Sequence, residues 1–162
     1  MIAAIVAVDN NWGIGYDNHL LARISTDLKY FKAITEHNVV IMGRKTWDSL
    51  PIKPLPNRTN IVITNQKHGD FNGAKFMTLK EAQKYAITNR PTNVYIIGGA
   101  SIYKEFLPLC ERVYVTKIDK SYSNVDAYFP NLDKMKNWAP GACSPIYTDG
   151  DLNYQFWQYE CF

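Results

Sequence analysis

Short apolar runs rich in β-branched residues recur along the chain and alternate with segments of helical periodicity. The apolar runs predict buried strands at Ile2–Val8, Val39–Met42, Asn60–Thr64, Val94–Ile97 and Val113–Thr116. Helical patterns lie between them at Thr26–Thr35, Lys45–Leu50, Leu79–Thr88 and Ser101–Leu107. A capping box, Thr78-x-x-Glu81, opens the third helix. The alternation predicts an α/β fold with a mostly parallel central sheet flanked by about four helices.

The C-terminal segment follows a different pattern. Asn153–Phe162 alternates aromatic and polar residues, which predicts a long strand that pairs antiparallel at an edge of the sheet or with the preceding segment. We therefore expect a mixed sheet with an antiparallel C-terminal edge strand. The longest stretches without a predicted element are Asp9–Arg23 and Ser121–Ala142. Loops of that length in a compact domain are usually functional or mobile.

Composition and charge narrow the class of protein. The 162 residues are predicted to form one domain, 1–162. Eighteen Lys and Arg against fifteen Asp and Glu give a net charge of +3. This mild surplus argues against a nucleic-acid or membrane-surface partner and suits a small polyanionic ligand.

Cysteine usage and the N-terminal segment indicate the compartment. Cys110, Cys143 and Cys161 are far apart and lack metal-ligand spacing, which predicts free thiols in a reducing compartment and no metal site. The apolar opening Ile2–Val8 is too short to span a bilayer and has no basic flank before it. We expect a cytoplasmic protein.

Asp27 places an acidic group in the middle of an apolar helix face. Ser25 or Thr26 is a natural N-cap, which would put Asp27 in the first turn, where the helix dipole favours negative charge. The helix alone favours this interpretation, because acidic first turns are common. In the alternative, the carboxylate borders an apolar cleft beside a buried stripe formed by Leu28, Phe31 and Ile34.

Two strand-to-helix junctions have the chemistry of phosphate binding. At the first, Gly43 ends a strand while Arg44, Lys45 and Thr46 open a helix, so backbone N–H groups, the helix dipole and two cations converge. At the second, Gly98-Gly99 allows a backbone to approach a ligand closely. Neither matches the dinucleotide fingerprint or the phosphate loop of nucleotide-binding folds. As a pair at the carboxyl ends of adjacent parallel strands, however, they predict a ligand crevice.

Eight motifs follow one another along the whole chain. They are Ile5-Val-Ala-Val-Asp9, Gly13-Ile-Gly15, Thr26-Asp-Leu-Lys-Tyr-Phe31, Val40-Ile-Met-Gly-Arg-Lys-Thr-Trp-Asp-Ser49, Pro54-Leu-Pro-Asn-Arg-Thr-Asn60, Ile96-Ile-Gly-Gly-Ala-Ser-Ile-Tyr103, Val115-Thr-Lys-Ile-Asp119 and Asp126-Ala-Tyr-Phe-Pro130. Each motif is a weak signal by itself. In this order and spacing, the sequence resembles a dihydrofolate reductase of the bacterial, chromosomal or mobile-element kind.

The resemblance implies a dihydrofolate reductase-like fold and an NADPH-dependent oxidoreductase that reduces 7,8-dihydrofolate to 5,6,7,8-tetrahydrofolate. Such an enzyme supports one-carbon and thymidylate metabolism. The family also implies a monomer whose partners are small molecules, namely dihydrofolate and antifolate inhibitors such as trimethoprim.

The resemblance also implies roles for the substrate side of the site. Asp27 falls on the family's only ionisable residue in the pterin pocket, and Arg58 resembles the guanidinium that holds the α-carboxylate of the substrate's glutamate tail. Thr116 would hydrogen-bond near the carboxylate, although a simple sheet residue explains it equally well. The apolar walls, for which core packing is the alternative, would be Ile5, Ala7, Leu28, Phe31, Leu50, Leu55 and Ile97.

On the cofactor side, the resemblance implies a set of residues around both glycine junctions. Arg44 is the best candidate for the 2′-phosphate of NADPH, with Thr64 and Asn65 as hydrogen-bonding neighbours and Lys67 as possible help. The implied cofactor-binding residues are Ala7, Ile14, Gly15, Gly43, Arg44, Lys45, Thr46, Thr64, Asn65, Gly98, Gly99, Ala100, Ser101, Ile102 and Tyr103.

The chain departs from the family pattern in the loop that closes over the nicotinamide. Leu20-Leu21-Ala22 stands where the family usually has Leu-Pro-Trp, and Ser25 replaces a frequent proline. Val125 stands where a glycine commonly precedes Asp126, so Asp126 is expected to hold the loop differently. These changes put loop closure and proton delivery in question and would suit a variant that tolerates antifolates.

Two other functions compete with this interpretation. A riboflavin-pathway reductase would share the sheet and the cofactor crevice, but the presence of both Asp27 and Arg58 argues against it. A non-catalytic folate- or NADPH-binding protein is conceivable because the loop lacks its tryptophan.

Overall fold

A computed structural model describes residues 1–66, 68–88 and 92–162 of the chain. The strands in these residues are β1 (Ile2–Val8), β2 (Gly13–Tyr16), β3 (His19–Leu20), β4 (Val39–Gly43), β5 (Thr59–Ile63), β6 (Gly69–Phe71), β7 (Ala74–Met77), β8 (Val94–Gly98), β9 (Arg112–Ile118), β10 (Ala127–Tyr128), β11 (Trp138–Cys143), β12 (Tyr147–Asp149) and β13 (Leu152–Cys161). The α-helices are α1 (Ser25–Thr35), α2 (Arg44–Ser49), α3 (Leu79–Thr88) and α4 (Ala100–Phe106).

The main sheet is mixed and mostly parallel, as predicted. Its strands follow the order β11-β13-β9-β1-β8-β4-β5-β7-β6, and β12 pairs with β13. The six strands from β9 to β7 run parallel. The C-terminal strand β13 is antiparallel to β9, which confirms the predicted orientation. Strand β11 pairs antiparallel with the other side of β13 and forms the edge of the sheet.

Alternating side chains on each strand build two hydrophobic layers. On β1, Ile2, Ala4 and Val6 join the apolar cluster that includes side chains of α3 and α4, whereas Ala3 and Ile5 join the cluster that includes α2 and packs against α1. Both faces of the central strands are therefore covered by helices, which explains their nearly uninterrupted apolar sequences.

The start of α1 differs from the prediction. Neither Ser25 nor Thr26 caps the helix, because the N-cap is Ile24 and it makes no side-chain cap hydrogen bond. Ile24 is buried together with Ile118 and Tyr154. Hydrophobic packing, and not capping, anchors this end of the helix.

The capping box of α3 forms as predicted. The Thr78 N–H donates to Glu81 Oε1 at 3.0 Å, and the Glu81 N–H donates to Thr78 Oγ1 at 3.2 Å. The hydrogen bond from the Thr78 N–H and, after it, an interaction with the Thr78 side chain lower the pKa of the Glu81 carboxyl.

The two long stretches without predicted elements contain short strands. Strands β2 and β3 of the first stretch pair with β10 of the second to form a sheet of three strands. Strand β11 also begins inside the second stretch. The buried Asp9 carboxylate accepts backbone N–H groups from Asn11, Gly13 and Tyr122 at 2.9, 2.8 and 3.1 Å. One side chain thus ties residues 9–13 to the segment at 122, more than a hundred positions away.

Two further features bear on the expectations from sequence. Cys110, Cys143 and Cys161 are free thiols, as predicted. None of the helices in the described parts of the chain has the length and apolar character needed to cross a bilayer.

Candidate active site

The two glycine junctions meet at one end of the sheet, as the sequence predicts. Strands β4 and β8 are adjacent and parallel, and Met42 pairs in register with Gly98 at their carboxyl ends. A Cβ atom on Gly43 would lie 3.1 Å from Ile102 Cγ1, and one on Gly98 would lie 3.3 Å from the Tyr103 ring. A larger residue at either position would require the neighbouring side chain to move by a few tenths of an ångström, so the backbone itself packs closely at the floor of the crevice.

Gly98 and Tyr103 link the floor to the neighbouring strand. Gly98 has a φ of +120°, a conformation that side-chain-bearing residues rarely adopt, and its peptide bond to Gly99 is cis. The buried Tyr103 hydroxyl donates to the Ile5 carbonyl at 2.7 Å. Burial and the nearby Asp27 carboxylate raise the pKa of Tyr103. Helix α4 is thereby fixed to β1 beneath the glycines.

The remaining residues predicted at this junction begin α4. Gly99 is the N-cap, and its carbonyl accepts the N–H groups of Ile102 and Tyr103, each at 3.0 Å. Ala100 is half-buried and Ser101 is exposed at the crevice end of the helix.

The basic junction lies across the crevice floor. Arg44 and Lys45 are exposed at the start of α2, and Thr46 follows them half-buried. Arg44 Nε donates to Asp48 Oδ1 at 3.1 Å, and its guanidinium carbon lies 5.7 Å from the centre of the Phe76 ring. These contacts hold the cation at the rim of the sheet.

Thr64 and Asn65 follow the carboxyl end of β5, the strand beside β4. Gly43 pairs with Ile63 in register, so Thr64 and Asn65 follow immediately beside the basic junction. Thr64 is buried, and its hydroxyl accepts the Gln66 N–H at 3.1 Å, whereas Asn65 is exposed. Lys67 lies outside the described residues.

Asp27 lies in the first turn of α1, as predicted, and its side chain is directed toward the sheet. Thr116 Oγ1 donates to Asp27 Oδ1 at 2.6 Å. Thr116 is buried in the centre of β9, where it pairs with Ala7 of β1. Burial raises the pKa of the Asp27 carboxyl, and the Thr116 hydrogen bond opposes that rise. Asp27 thus occupies the first turn, where the helix dipole favours negative charge, and its carboxylate also borders the cleft.

Tyr30 is a neighbour of Asp27 that the sequence analysis missed. Its ring stacks on Phe156 with centroids 4.0 Å apart. Burial, together with Tyr114 and Asp27, raises the pKa of Tyr30 to about 12. Its spacing of three residues from Asp27 on one helix could have predicted that the two side chains lie on the same face.

Most of the predicted apolar walls belong to one cluster. Ile5 is part of its buried core, and Phe31, Leu50, Leu55 and Ile97 pack against that core. Ala7 packs instead against a separate cluster formed by residues 24, 118 and 154.

The predicted buried stripe of α1 is wrong in its details. Phe31 and Ile34 are half-buried, and Leu28 retains 38% of its accessible surface. The helix is most deeply buried at its C-terminal end, where Thr35 is fully covered.

Arg58 is fixed between α1 and the segment before β5. Its Nε donates to the Pro56 carbonyl at 2.9 Å, and its Nη1 donates to Thr35 Oγ1 at 3.1 Å. The guanidinium carbon lies 5.9 Å from the centre of the Phe31 ring. Burial lowers the pKa of Arg58, and Glu36 partly offsets this effect. The guanidinium is thus oriented before any ligand binds.

Polar contacts hold the 9–23 loop across the site. Asn18 Nδ2 donates to the Lys45 carbonyl at 3.2 Å, and Asp126 Oδ2 accepts the Asp17 N–H at 3.0 Å. The Asp126 N–H in turn donates to the Gly15 carbonyl at 3.1 Å. Ile14 packs against the large apolar cluster. The loop therefore spans from the small sheet to the start of α2.

The departures from the family pattern can be located in this loop. Leu20 is 66% exposed, and Ala22 packs against the cluster around Ile24. Val125 leaves no space above Gly13, since a Cβ there would lie 2.8 Å from Val125 Cγ1. Asp126 nevertheless makes both of its contacts with the loop.

Comparisons with known proteins agree on one family. The family model described as dihydrofolate reductase matches residues 1–160. A dihydrofolate reductase of Bacillus subtilis is 38% identical, covering 99% of this chain and 94% of the relative. One from Neisseria meningitidis is 41% identical, covering 82% of this chain and 81% of the relative. A solved structure of the Enterococcus faecalis dihydrofolate reductase, complexed with NADP(H) and RAB-propyl, superposes with a TM-score of 0.88 at 32% identity, covering 99% of this chain and 96% of that one.

Replacing Thr116 by Val should raise the pKa of Asp27 further. The substitution removes the hydroxyl whose hydrogen bond opposes the effect of burial. A pH titration of the Asp27 carboxyl carbon by NMR, in wild type and variant, measures the midpoint directly. Thr116→Ser keeps the donor and should preserve the wild-type midpoint. Equal midpoints in all three proteins would show that the hydroxyl does not influence the carboxylate.

Proposed function

The chain belongs to the dihydrofolate reductase family and is an NADPH-dependent enzyme that reduces 7,8-dihydrofolate to 5,6,7,8-tetrahydrofolate; we propose that Asp27 orients the substrate in this reaction. The observation that carries the proposal is the half-buried Asp27 carboxylate, held at 2.6 Å by Thr116 beside the exposed Leu28. A carboxylate is costly to bury, and the first-turn position does not account for its direction toward the sheet, whereas a ligand-binding role does.

The crevice fits a dinucleotide phosphate. The backbone at Gly43 and Gly98 packs closely on Ile102 and Tyr103 at the end of the sheet, and two cations stand at the adjacent helix start. We assign the pyrophosphate region to the two glycine junctions and the 2′-phosphate to Arg44 with Thr64 and Asn65. When bound, NADPH supplies the hydride.

Asp27 would act on the pterin ring in two ways. A 2-amino-4-oxo pteridine presents an amino group and a ring N–H in one plane, and a carboxylate can accept both as a bidentate pair. This contact fixes the ring against the wall that includes Ile5, Phe31 and Ile97. The negative charge also favours protonation of the ring nitrogen beside the carbon that receives hydride. Thr116 would keep the carboxylate in the orientation that both tasks require.

Arg58 would hold the other end of the substrate. Its Nε and Nη1 contacts fix the plane of the guanidinium, so little side-chain entropy remains to be lost when a carboxylate binds. The apolar residues between Arg58 and Asp27, including Leu28, Leu50 and Leu55, would enclose the middle of the molecule. Fixing both ends of the substrate aligns the ring with the cofactor.

The 9–23 loop would close the site. Its contacts from Asn18 to Lys45 and from Asp17 to Asp126 hold it across the start of α2. Closure excludes water and strengthens the electrostatic effect of Asp27. Since Leu20-Leu21-Ala22 supplies no indole N–H, the protonating water would have to be organised by other groups of the cleft.

The compartment, the oligomeric state and the partners of the whole molecule can also be proposed. We propose a cytoplasmic monomer in which residues 1–162 work as one domain and whose partners are small molecules, including antifolate inhibitors, with neither nucleic acid nor membrane involved. The net charge of +3 supports this view, because it is too small to favour a polyanionic surface. The riboflavin-pathway alternative is not favoured, and a purely binding role would appear as NADPH and folate affinity without turnover.

Asp27→Asn should abolish most turnover near neutral pH while leaving NADPH binding intact. The amide cannot accept both ring donors as a carboxylate does, nor does it favour the protonated ring. The measurement is the loss of nicotinamide absorbance with NADPH and dihydrofolate, and Asp70→Asn on the β6–β7 hairpin serves as a control. A near-normal rate in Asp27→Asn would reject the assignment.

The stability of Asp27→Asn separates loss of function from loss of folding. Because burial raises the folded-state pKa of Asp27, the ionised carboxylate destabilises the fold. This penalty is absent below the unfolded pKa and fully present above the folded one. The variant should therefore be at least as stable as wild type at neutral pH, and the difference should shrink toward acid pH.

Arg58→Lys should raise the Michaelis constant for dihydrofolate by roughly ten-fold or more, since a lysine cannot form the paired contact with a carboxylate. The constant for NADPH should change little. Steady-state kinetics with each substrate varied in turn provide the test. Arg112→Lys, on β9 four strands away from β5, is the matched control because it removes another bonded, half-buried guanidinium. Equal effects on both substrates would reject the role.

Arg44→Ala should weaken NADPH use by roughly ten-fold or more and leave NADH use unchanged, because only NADPH carries the 2′-phosphate that a guanidinium would hold. The kinetic constants for the two cofactors measure this selectivity. Lys84→Ala, an exposed cation on α3, controls for the loss of surface charge. A parallel decline with both cofactors would make Arg44 a structural residue of the α2 start.

A further inference from the structure

Lys117 lies in a cage of aromatic rings on the side of β9 away from Asp27. Its ammonium is 5.0 Å from the centre of the Trp157 ring, 5.1 Å from Tyr159 and 5.5 Å from Trp12. The Asp133 carboxylate lies 3.5 Å away and also accepts the Tyr159 hydroxyl at 2.7 Å. We call these four residues around Lys117 the Lys117 cage. Three ring faces and one carboxylate make it a well-defined cation site.

Of the cage residues, Trp12 belongs to the 9–23 loop, and its backbone is unfavourable. Its φ is +62°, a left-handed conformation that is rare for a bulky side chain. Such a conformation persists only when the surroundings hold it. Trp12 is 5% exposed, and its ring contacts the cage residue Tyr159 edge-on at 5.7 Å. The cage thus supplies packing that can maintain this conformation.

An aromatic series connects Trp12 to the floor of the cofactor crevice. Trp12 stacks on Phe129 with centroids 6.2 Å apart, and its carbonyl accepts the Phe129 N–H at 2.9 Å. Phe129 contacts Tyr103 edge-on at 4.9 Å. The Tyr103 ring in turn closes the space below Gly98. The start of the loop and the cofactor floor are therefore packed as one unit.

We propose that Lys117 is a positioning residue for NADPH: its ammonium, held in the cage, fixes Trp12 and through it the start of the loop that closes over the cofactor. The proposal rests on the proposed function of the cleft. Lys117 touches neither Asp27 nor Arg58 in the described contacts, so its effect should fall on NADPH binding and leave dihydrofolate binding unchanged. The packing of Trp12 would then order the 9–23 loop, which in this chain has neither the proline nor the tryptophan of the family at Leu20-Leu21-Ala22.

Lys117→Met tests this directly, because methionine retains the unbranched apolar stem and loses the charge. The dissociation constant for NADPH in the binary complex should rise by about five-fold, the loss expected when a cation leaves three ring faces. The dissociation constant for dihydrofolate should stay within about two-fold of wild type, since the cage is not part of its proposed site. Lys117→Arg restores a cation over the rings and should recover most of the NADPH affinity.

A matched control and a double-mutant cycle separate positioning from general stability. Lys75→Met removes another half-exposed lysine from an ion pair, with Asp70 at 3.7 Å, and should leave both dissociation constants unchanged. Trp12→Leu should weaken NADPH binding by itself and should make the further Lys117→Met change nearly without effect. Should Lys117→Met fail to fold, Lys117→Gln, which also removes the charge, takes its place in the cycle with Trp12→Leu.

Three outcomes would overturn the proposal. They are an unchanged NADPH constant in Lys117→Met despite a lower melting temperature, equal losses for NADPH and dihydrofolate, and additive effects of Lys117→Met and Trp12→Leu. Binding in the binary complex is measured without turnover. A wild-type protein that binds NADPH but does not reduce dihydrofolate would therefore contradict the proposed function and leave this test valid.

Discussion

The parallel pairing of β1 with β8 and β9, and of β8 with β4, is the constraint on which the site depends. Parallel strands end together, so Gly43 and Gly98 meet at one edge, and Ala7 and Thr116 come together on the next pair of strands. Helices on both faces bury these strands, and the resulting rigidity holds the strand ends in place. The crevice is therefore a consequence of topology, and its chemistry is added by the few polar residues that follow each strand.

One feature of the site is unfavourable for stability by itself. Asp27 is half-buried, and burial raises the pKa of its carboxyl. A surface selected only for stability would leave such a group in water. Proteins tolerate such departures at functional sites because the surrounding packing compensates for them. Here the compensation comes from Thr116 beneath the carboxylate.

The loop over the site is held mainly by contacts at its two ends and across its middle. Asp9 gathers three backbone N–H groups at the start, and Asn18 reaches the start of α2. Trp12 is packed between these regions against Phe129 and the Lys117 cage. A loop without the stiffening proline has more conformations to lose on ordering, which makes such fixed points more important. The order of this loop therefore depends on long-range contacts rather than on the local stiffness of residues 20–22.

The elements with local signals could be predicted from the sequence: the central strands, the four helices, the Thr78–Glu81 capping box and the glycine junctions. Periodicity and capping chemistry act over a few residues, so they can be recognised without knowing what lies nearby in space. The folded structure was needed to see that Ile24 anchors α1, that β11 lies outside β13 and that the loop segments form a small sheet. It also joined Thr116 to Asp27, 89 positions apart, and placed Lys117 among its rings. These features depend on which distant segments become neighbours, and no local pattern records that choice.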